Sequence, residues 1–278
     1  MTVSLVMLAG GAAANPVAAI ESALTLIDSY QVVDTGIPAD TRQAIEGALA
    51  DLPGDLVDDP WDGSGPGFTR ALQRAQGTAD WLLHLHADEV AEIHPDMREW
   101  LQADESPDTD AWMLEIVNPH LTHRLPRLLR GNQEWIYQGC AHEYLEIAGR
   151  QTRWLNGLTL HHHGWSDPAK FEWALEALKP AYEAKEPRAV FYTGESLRDL
   201  GRTEEAISVY RERAAMNNGW DEERWYASYQ AAALAGDVEE LLYVYRLRPW
   251  RAEPLAFAAR IIAHQGHGDD TLFIEEVA

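Results

Sequence analysis

Apolar positions follow two different rhythms along this chain. In the first half, short apolar runs at 3–8, 30–33 and 81–85, with a further short strand expected at 55–58, alternate with stretches of helical spacing. Asn15-Pro16 opens the first of these, with Asn as N-cap and Pro where its missing N–H costs nothing. Val17, Ile20, Leu24 and Ile27 then line one helix face. Further helices are expected over 41–49, 68–76 and from His94-Pro95 to Leu101, with a Gly/Pro-rich loop at 60–67 and a polar loop at 105–110. Strand, helix, strand with tight connections is a βαβ unit, so the sheet should be parallel and covered by helices. Runs at 111–117, 127–129, 135–138 and 158–162 read as further strands, mixed or antiparallel.

Near Ser166 the pattern becomes helical throughout, over 171–183, 188–200, 203–217, 222–235, 238–245 and 254–264. An internal echo runs through it. Phe191-Tyr192, Leu197 and Leu200-Gly201 are answered about 34 residues later by Trp225-Tyr226, Leu234 and Gly236. That period matches a tetratricopeptide-like helical hairpin. Two or three such repeats are too few for a free-standing solenoid. Two domains are expected: 1–165, α/β, and 166–278, all-α.

The 278 residues carry 22 basic and 45 acidic side chains, a net charge of −23. That excess argues against loose, phosphate-driven binding of nucleic acid, which needs clustered Lys and Arg. A single cysteine, Cys140, rules out an internal disulfide and points to the cytoplasm. No apolar run approaches the roughly 18 residues needed to span a bilayer. The apolar N-terminal stretch lacks a basic region and reads as a strand and turn rather than a signal peptide.

The run Trp81-Leu82-Leu83-His84-Leu85 ends abruptly in His86-Ala87-Asp88-Glu89. Open α/β sheets bind ligands outside the carboxyl ends of their strands, and acids there commonly hold a divalent cation. This stretch resembles the LDADE strand end of family-2 glycosyltransferases with the GT-A (Rossmann-like) fold, whose D-x-D motif holds a metal and a sugar nucleotide. His86 stands where the first acid of that motif would be. Val32-Val33-Asp34-Thr35-Gly36 resembles the family's V-D-x-G-S segment, Gly139-Cys140-Ala141-His142-Glu143 its G-x-[IV]-H-E motif, and His161-His162-His163-Gly164-Trp165 its H-Y-G-[YF] motif. Arg127 and Arg130 fit its R-L-[FL]-R strand. The chain departs from the family at Ala9-Gly10-Gly11-Ala12, where a K-N-E type segment is usual, and at Gly67-Phe68-Thr69-Arg70, where the loop normally ends in A-R-N.

The resemblance implies a mixed-sheet GT-A domain followed by the helical domain. It implies a nucleotide-sugar donor, a UDP-sugar first, held with Mn²⁺ or Mg²⁺ by Asp88, His162 and His86. Asp34 and Thr35 would meet the base or ribose, and Arg127 the phosphates. Glu143, with His142 beside it, would take the acceptor hydroxyl's proton. Each residue also has a plainer reading. Asp34 serves equally as a turn cap, and His86 and Glu89 as caps of the next segment. The His run would serve on a surface or for zinc, the His142-Glu143 pair in ordering an acceptor loop, and the arginines in ion pairs. A helical-repeat tail suggests a peptide or protein acceptor. Alternatives are transfer to a modified base in DNA, through a cluster of Arg124, Arg127 and Arg130, and a non-catalytic interaction module.

Overall fold

The first apolar run forms strand β1 (Val3–Ala9), all seven of whose residues are buried, and the rest of an α/β sheet is laid around it. The computed structural model describes residues 1–10, 15–59, 61–103, 108–119, 121–163 and 168–267. Gly11, Ala12, Pro60, Gly164, Trp165 and residues 105–107 of the expected polar loop lie outside the described residues. The chain divides into two units, Met1–Asp167 and Pro168–Ala278.

In the first unit β1 is followed by α1 (Pro16–Ala23), β2 (Ser29–Asp34), α2 (Ala39–Ala48), β3 (Gly54–Asp58), α3 (Ser64–Ala75) and β4 (Trp81–His84). Asn15 caps α1 through its side chain, which accepts from the Ala18 amide. Next come β5 (Glu89–Ile93), α4 (Met97–Ala103), β6 (Ala111–Val117), β7 (Thr122–Arg130), β8 (Tyr137–Gln138), β9 (Tyr144–Leu145) and β10 (Thr152–His162). Eight strands form one sheet in the order β3-β2-β1-β4-β7-β6-β10-β5, and β8 and β9 pair as a separate hairpin. β1 runs parallel to β2 and β4, and β2 to β3. β7 is antiparallel to both β4 and β6, while β10 is parallel to β6. The carboxyl ends of β1, β2, β3, β4, β6 and β10 therefore share one edge.

Both faces of the sheet are covered. Ile20, Ile45, Leu49 and Met97 pack with Leu5, Met7, Leu83, Leu114 and Leu160 on one face. Phe68, Ala71, Leu72 and Ala75 of α3 pack with Val6, Leu8, Leu82, Leu129 and Trp135 on the other.

Three local departures from the sequence reading have simple causes. Helix α3 starts at Ser64, inside the expected loop. Pro66 falls in the first turn, where its missing N–H has no intrahelical use, and a Cβ on Gly65 would stand 2.0 Å from the Gly139 carbonyl oxygen. The glycine admits close packing there rather than flexibility. Strand β5 was not foreseen, because Glu89 and Glu92 break its apolar pattern; it forms by antiparallel pairing with β10. Strands β7 and β10 run several residues beyond their apolar cores, carried by their ladders into polar sequence.

The second unit contains α5 (Pro168–Glu183), α6 (Pro187–Asp199), α7 (Thr203–Ala215), α8 (Asp221–Ala235), α9 (Val238–Leu247) and α10 (Glu253–His267), each packed on its chain neighbours. Gly194 of α6 lies against the buried ring of Tyr210 in α7, where its missing side chain admits close packing of the two helices. Among the described residues no helix is long and apolar enough to cross a membrane.

Candidate active site at the carboxyl edge of the sheet

Beyond β4 the chain turns back at once. The Glu89 amide donates to the His86 carbonyl at 3.1 Å, closing a turn over His86, Ala87, Asp88 and Glu89. Asp88 is the third residue of that turn and projects from the shared edge. Its carboxylate meets His162 at the end of β10, with Nε2 3.0 Å from Oδ2 and both side chains mostly buried. The His163 amide donates to the Asp88 carbonyl at 2.9 Å. Successive β10 side chains alternate in direction, and His161 turns instead to Glu92 at 2.9 Å. Two sequence motifs 74 residues apart are thus joined by one contact.

Behind the turn lies a buried polar network. Glu89 Oε2 accepts from the His86 amide at 2.9 Å, and Oε1 accepts from Arg127 Nη2 at 2.9 Å. The two side chains are 2% and 4% exposed, so this pair is shut off from water. Arg127 Nη1 also reaches His86 Nε2, and His84 Nδ1 at 3.3 Å. Tyr137 of β8 donates to that same His84 nitrogen at 2.8 Å. Two donors on Nδ1 make it the acceptor, so the His84 proton sits on Nε2. Phe68 stacks on His86, centroids 4.6 Å apart and 8° from parallel, and meets His84 edge-on.

Burial alone would lower the Arg127 pKa, but Glu89, Tyr137, Glu143 and Asp88 together raise it. Glu143 and Asp88 therefore lie within electrostatic reach of one guanidinium. His142 and Glu143 sit in the loop between β8 and β9. That loop is held by the start of α3, where the Ser64 amide donates to the Cys140 carbonyl at 3.3 Å. His142 takes φ +50°, an uncommon conformation for a non-glycine residue and one that tends to gather at functional sites.

Asp34 does what its plainer reading described, capping the turn after β2. Its Oδ1 accepts from the Gly36 and Ile37 amides at 2.8 and 2.9 Å, and Oδ2 from Arg42 at 2.6 Å. Burial pushes its pKa up, but these amides and Arg42 outweigh it and hold it below the usual carboxylate range. Two oxygens with about four acceptor sites leave room for one more donor. Thr35 beside it donates its hydroxyl to the Ala9 carbonyl at 3.0 Å.

Arg127 is expected to meet phosphate, and His86 to ligate metal. The structure buries Arg127, where it compensates the buried Glu89, and leaves His86 partly exposed with its Nε2 accepting from Arg127. Arg124 instead lies over Trp154 at 4.5 Å, and Arg130 over Trp81 at the amino end of β4. The three arginines do not form one basic groove. Sequence reasoning passed over His84, Tyr137, Phe68 and His123 and read Glu89 only as a cap. The one legible signal was His84 interrupting an apolar strand.

The histidines here make the fold acid-sensitive. His84 is held well below 6.5 by burial and then by Arg127, and His123 is lowered by burial, Arg127 and His162. The unfolded chain takes these protons near pH 6.5 and the folded one resists them. Their stability is full above that value and is lost as pH falls through the window below it. The expected slope is up to about 1.4 kcal/mol per pH unit for each histidine. Asp34 adds a second loss starting below 3.8. Urea midpoints measured from about pH 8 to pH 5 test this; a flat midpoint would contradict it.

A comparison with protein families finds no match, and a comparison with curated proteins finds none. Among solved structures, residues 1–349 of S. aureus TarS align with TM-score 0.48 and 10% identity, over 97% of this chain and 92% of that one. A longer S. aureus TarS structure gives 0.49 and 10%, over 86% of this chain and 54% of that one. The TarS 1–349 complex with UDP-GlcNAc gives 0.44 and 12%, over 97% and 93%.

Proposed function

We propose that this chain is a metal-dependent glycosyltransferase of the GT-A type, moving a sugar from a nucleotide donor, UDP-sugar first, to an acceptor hydroxyl. The observation that carries this is the Asp88–His162 contact at the shared carboxyl edge of six strands, where α/β sheets take their ligands.

The donor set fits a divalent cation. Asp88 and His162 would hold Mn²⁺ or Mg²⁺ through one carboxylate and one imidazole. Among the described residues no group of three or more such side chains could hold a metal. Two protein ligands suffice where substrate phosphates and water complete the shell, and imidazole suits Mn²⁺. When bound, the cation neutralises the diphosphate that leaves the sugar.

The remaining roles fall to the chain's own residues. Asp34 and Thr35 at the end of β2 receive the base or ribose. Glu143 takes the proton of the acceptor hydroxyl as its oxygen bonds to the anomeric carbon and the sugar–phosphate bond breaks toward the diphosphate. His142 orients the loop that carries it. A peptide or protein acceptor, met by a tetratricopeptide-like second unit, completes the reading.

Thermal melting with UDP, GDP, TDP and CDP, each with and without Mn²⁺, tests it. At a hundredfold its dissociation constant the true nucleotide stabilises by about 2.7 kcal/mol, roughly 5 to 10 °C for a unit of this size. The shift should need both one nucleotide and Mn²⁺. No shift with any of the four would end the proposal.

A further inference from the structure

We infer that the buried Glu89–Arg127 pair positions Asp88, acting through the turn that presents it rather than by touching substrate. The inference rests on the reading of Asp88 as a donor-site residue.

A single residue ties both ends of the turn, its carboxylate at one and its backbone amide at the other. Glu89 Oε2 takes the amide of His86, the first residue, while the Glu89 amide closes the turn on the His86 carbonyl. Its other oxygen is tied to Arg127 on β7, the strand next to β4. Arg127 also reaches the rings of His84 and His86, so one guanidinium braces the strand end and the turn. Phe68 closes the far side of His86. The middle of the turn is held separately, by Asn15 N–H on the Ala87 carbonyl and His163 N–H on the Asp88 carbonyl, both at 2.9 Å.

Arg127 is 3% exposed and cannot follow a diphosphate arriving from water. Stability is a poor reason to keep such a pair, since apolar residues of similar volume often replace a buried ion pair at no cost. No apolar pair can satisfy the His86 amide and link the turn to β7. What the pair supplies is the direction in which Asp88 points.

The test compares two double variants. Glu89→Leu with Arg127→Met removes every side-chain hydrogen bond from the pair to the turn. Glu89→Gln with Arg127→Met keeps an acceptor for the His86 amide. In the first, amide exchange at His86, Glu89 and His163 should quicken at least tenfold while β1 amides stay unchanged. Its kcat should fall about 100-fold, the scale of a small misplacement of a reacting group, with donor KM moving much less. The second variant should recover part of both losses. Unchanged exchange, or faster exchange with wild-type kcat, would overturn the inference. Should neither variant fold, wild-type exchange decides: His86 and His163 amides less protected than those of β4 would refute it. Absence of transfer in the wild type would instead fault the reading of Asp88, and exchange alone would then show whether the pair holds the turn.

Discussion

Asp88→Ala should lower sugar transfer by about three orders of magnitude and leave the melting temperature within a degree or two of wild type. A thousandfold is about 4 kcal/mol of transition-state stabilisation, in the range of several kcal/mol that charge neutralisation at a leaving diphosphate supplies. The structural cost is small because the turn does not hang on this carboxylate. Its side chain is partly solvent-exposed, and the bonds that shape the turn use the Asp88 carbonyl, the His86 amide and the Glu89 side chain. His162→Ala should match the loss. Glu92→Ala breaks the neighbouring contact to His161 and should leave transfer intact. Retained activity in Asp88→Ala, measured as transfer with the nucleotide and metal identified by melting, would sink the donor-site assignment.

The largest effect on stability is expected at Arg127. Arg127→Ala should destabilise the first unit by about 3 to 5 kcal/mol, the usual result of leaving one partner of a buried ion pair without the other. Burial magnifies the loss, because Glu89 at 2% exposure has no water to replace the guanidinium. The same change strips a donor from His84 and from His86. Arg124→Ala is the contrast: that side chain rests on the largely exposed Trp154 and near Glu115 at 3.5 Å, and its loss should cost under about 1 kcal/mol. Urea unfolding of the two variants measures the difference. A cost at Arg127 no greater than at Arg124 would show the pair to be open to water.

Much of the fold was legible because local patterns and tertiary packing agree. The runs at 3–8, 30–33, 55–58 and 81–85 became β1 to β4, and Asn15-Pro16 opened α1 as its capping chemistry required. Every helix of the second half lies within a few residues of its expected span, since each buries one stripe. Patterns failed where long-range pairing decided the outcome. β5 exists only because β10 lies beside it, and the start of α3 only because Gly65 lets the 139–143 loop come close.

The candidate site divides in the same way. The resemblance to family motifs marked Asp34, Asp88, His142, Glu143 and His162, since each motif is read within one short segment. It could not tell that Arg127 faces inward, because exposed and buried arginines look alike in sequence and only a buried carboxylate opposite distinguishes them.

By itself, the sequence determined the first four strands with the helices between them, the change of character near Ser166 and the places where chemistry-bearing side chains end a strand. These follow from periodicity and capping, which act over a few residues. Only the tertiary structure decided that β10 pairs antiparallel with β5, bringing His162 to Asp88, and that Glu89 and Arg127 close on each other out of reach of water. Strand order and burial are set by contacts between distant segments, and no local pattern encodes which of them meet.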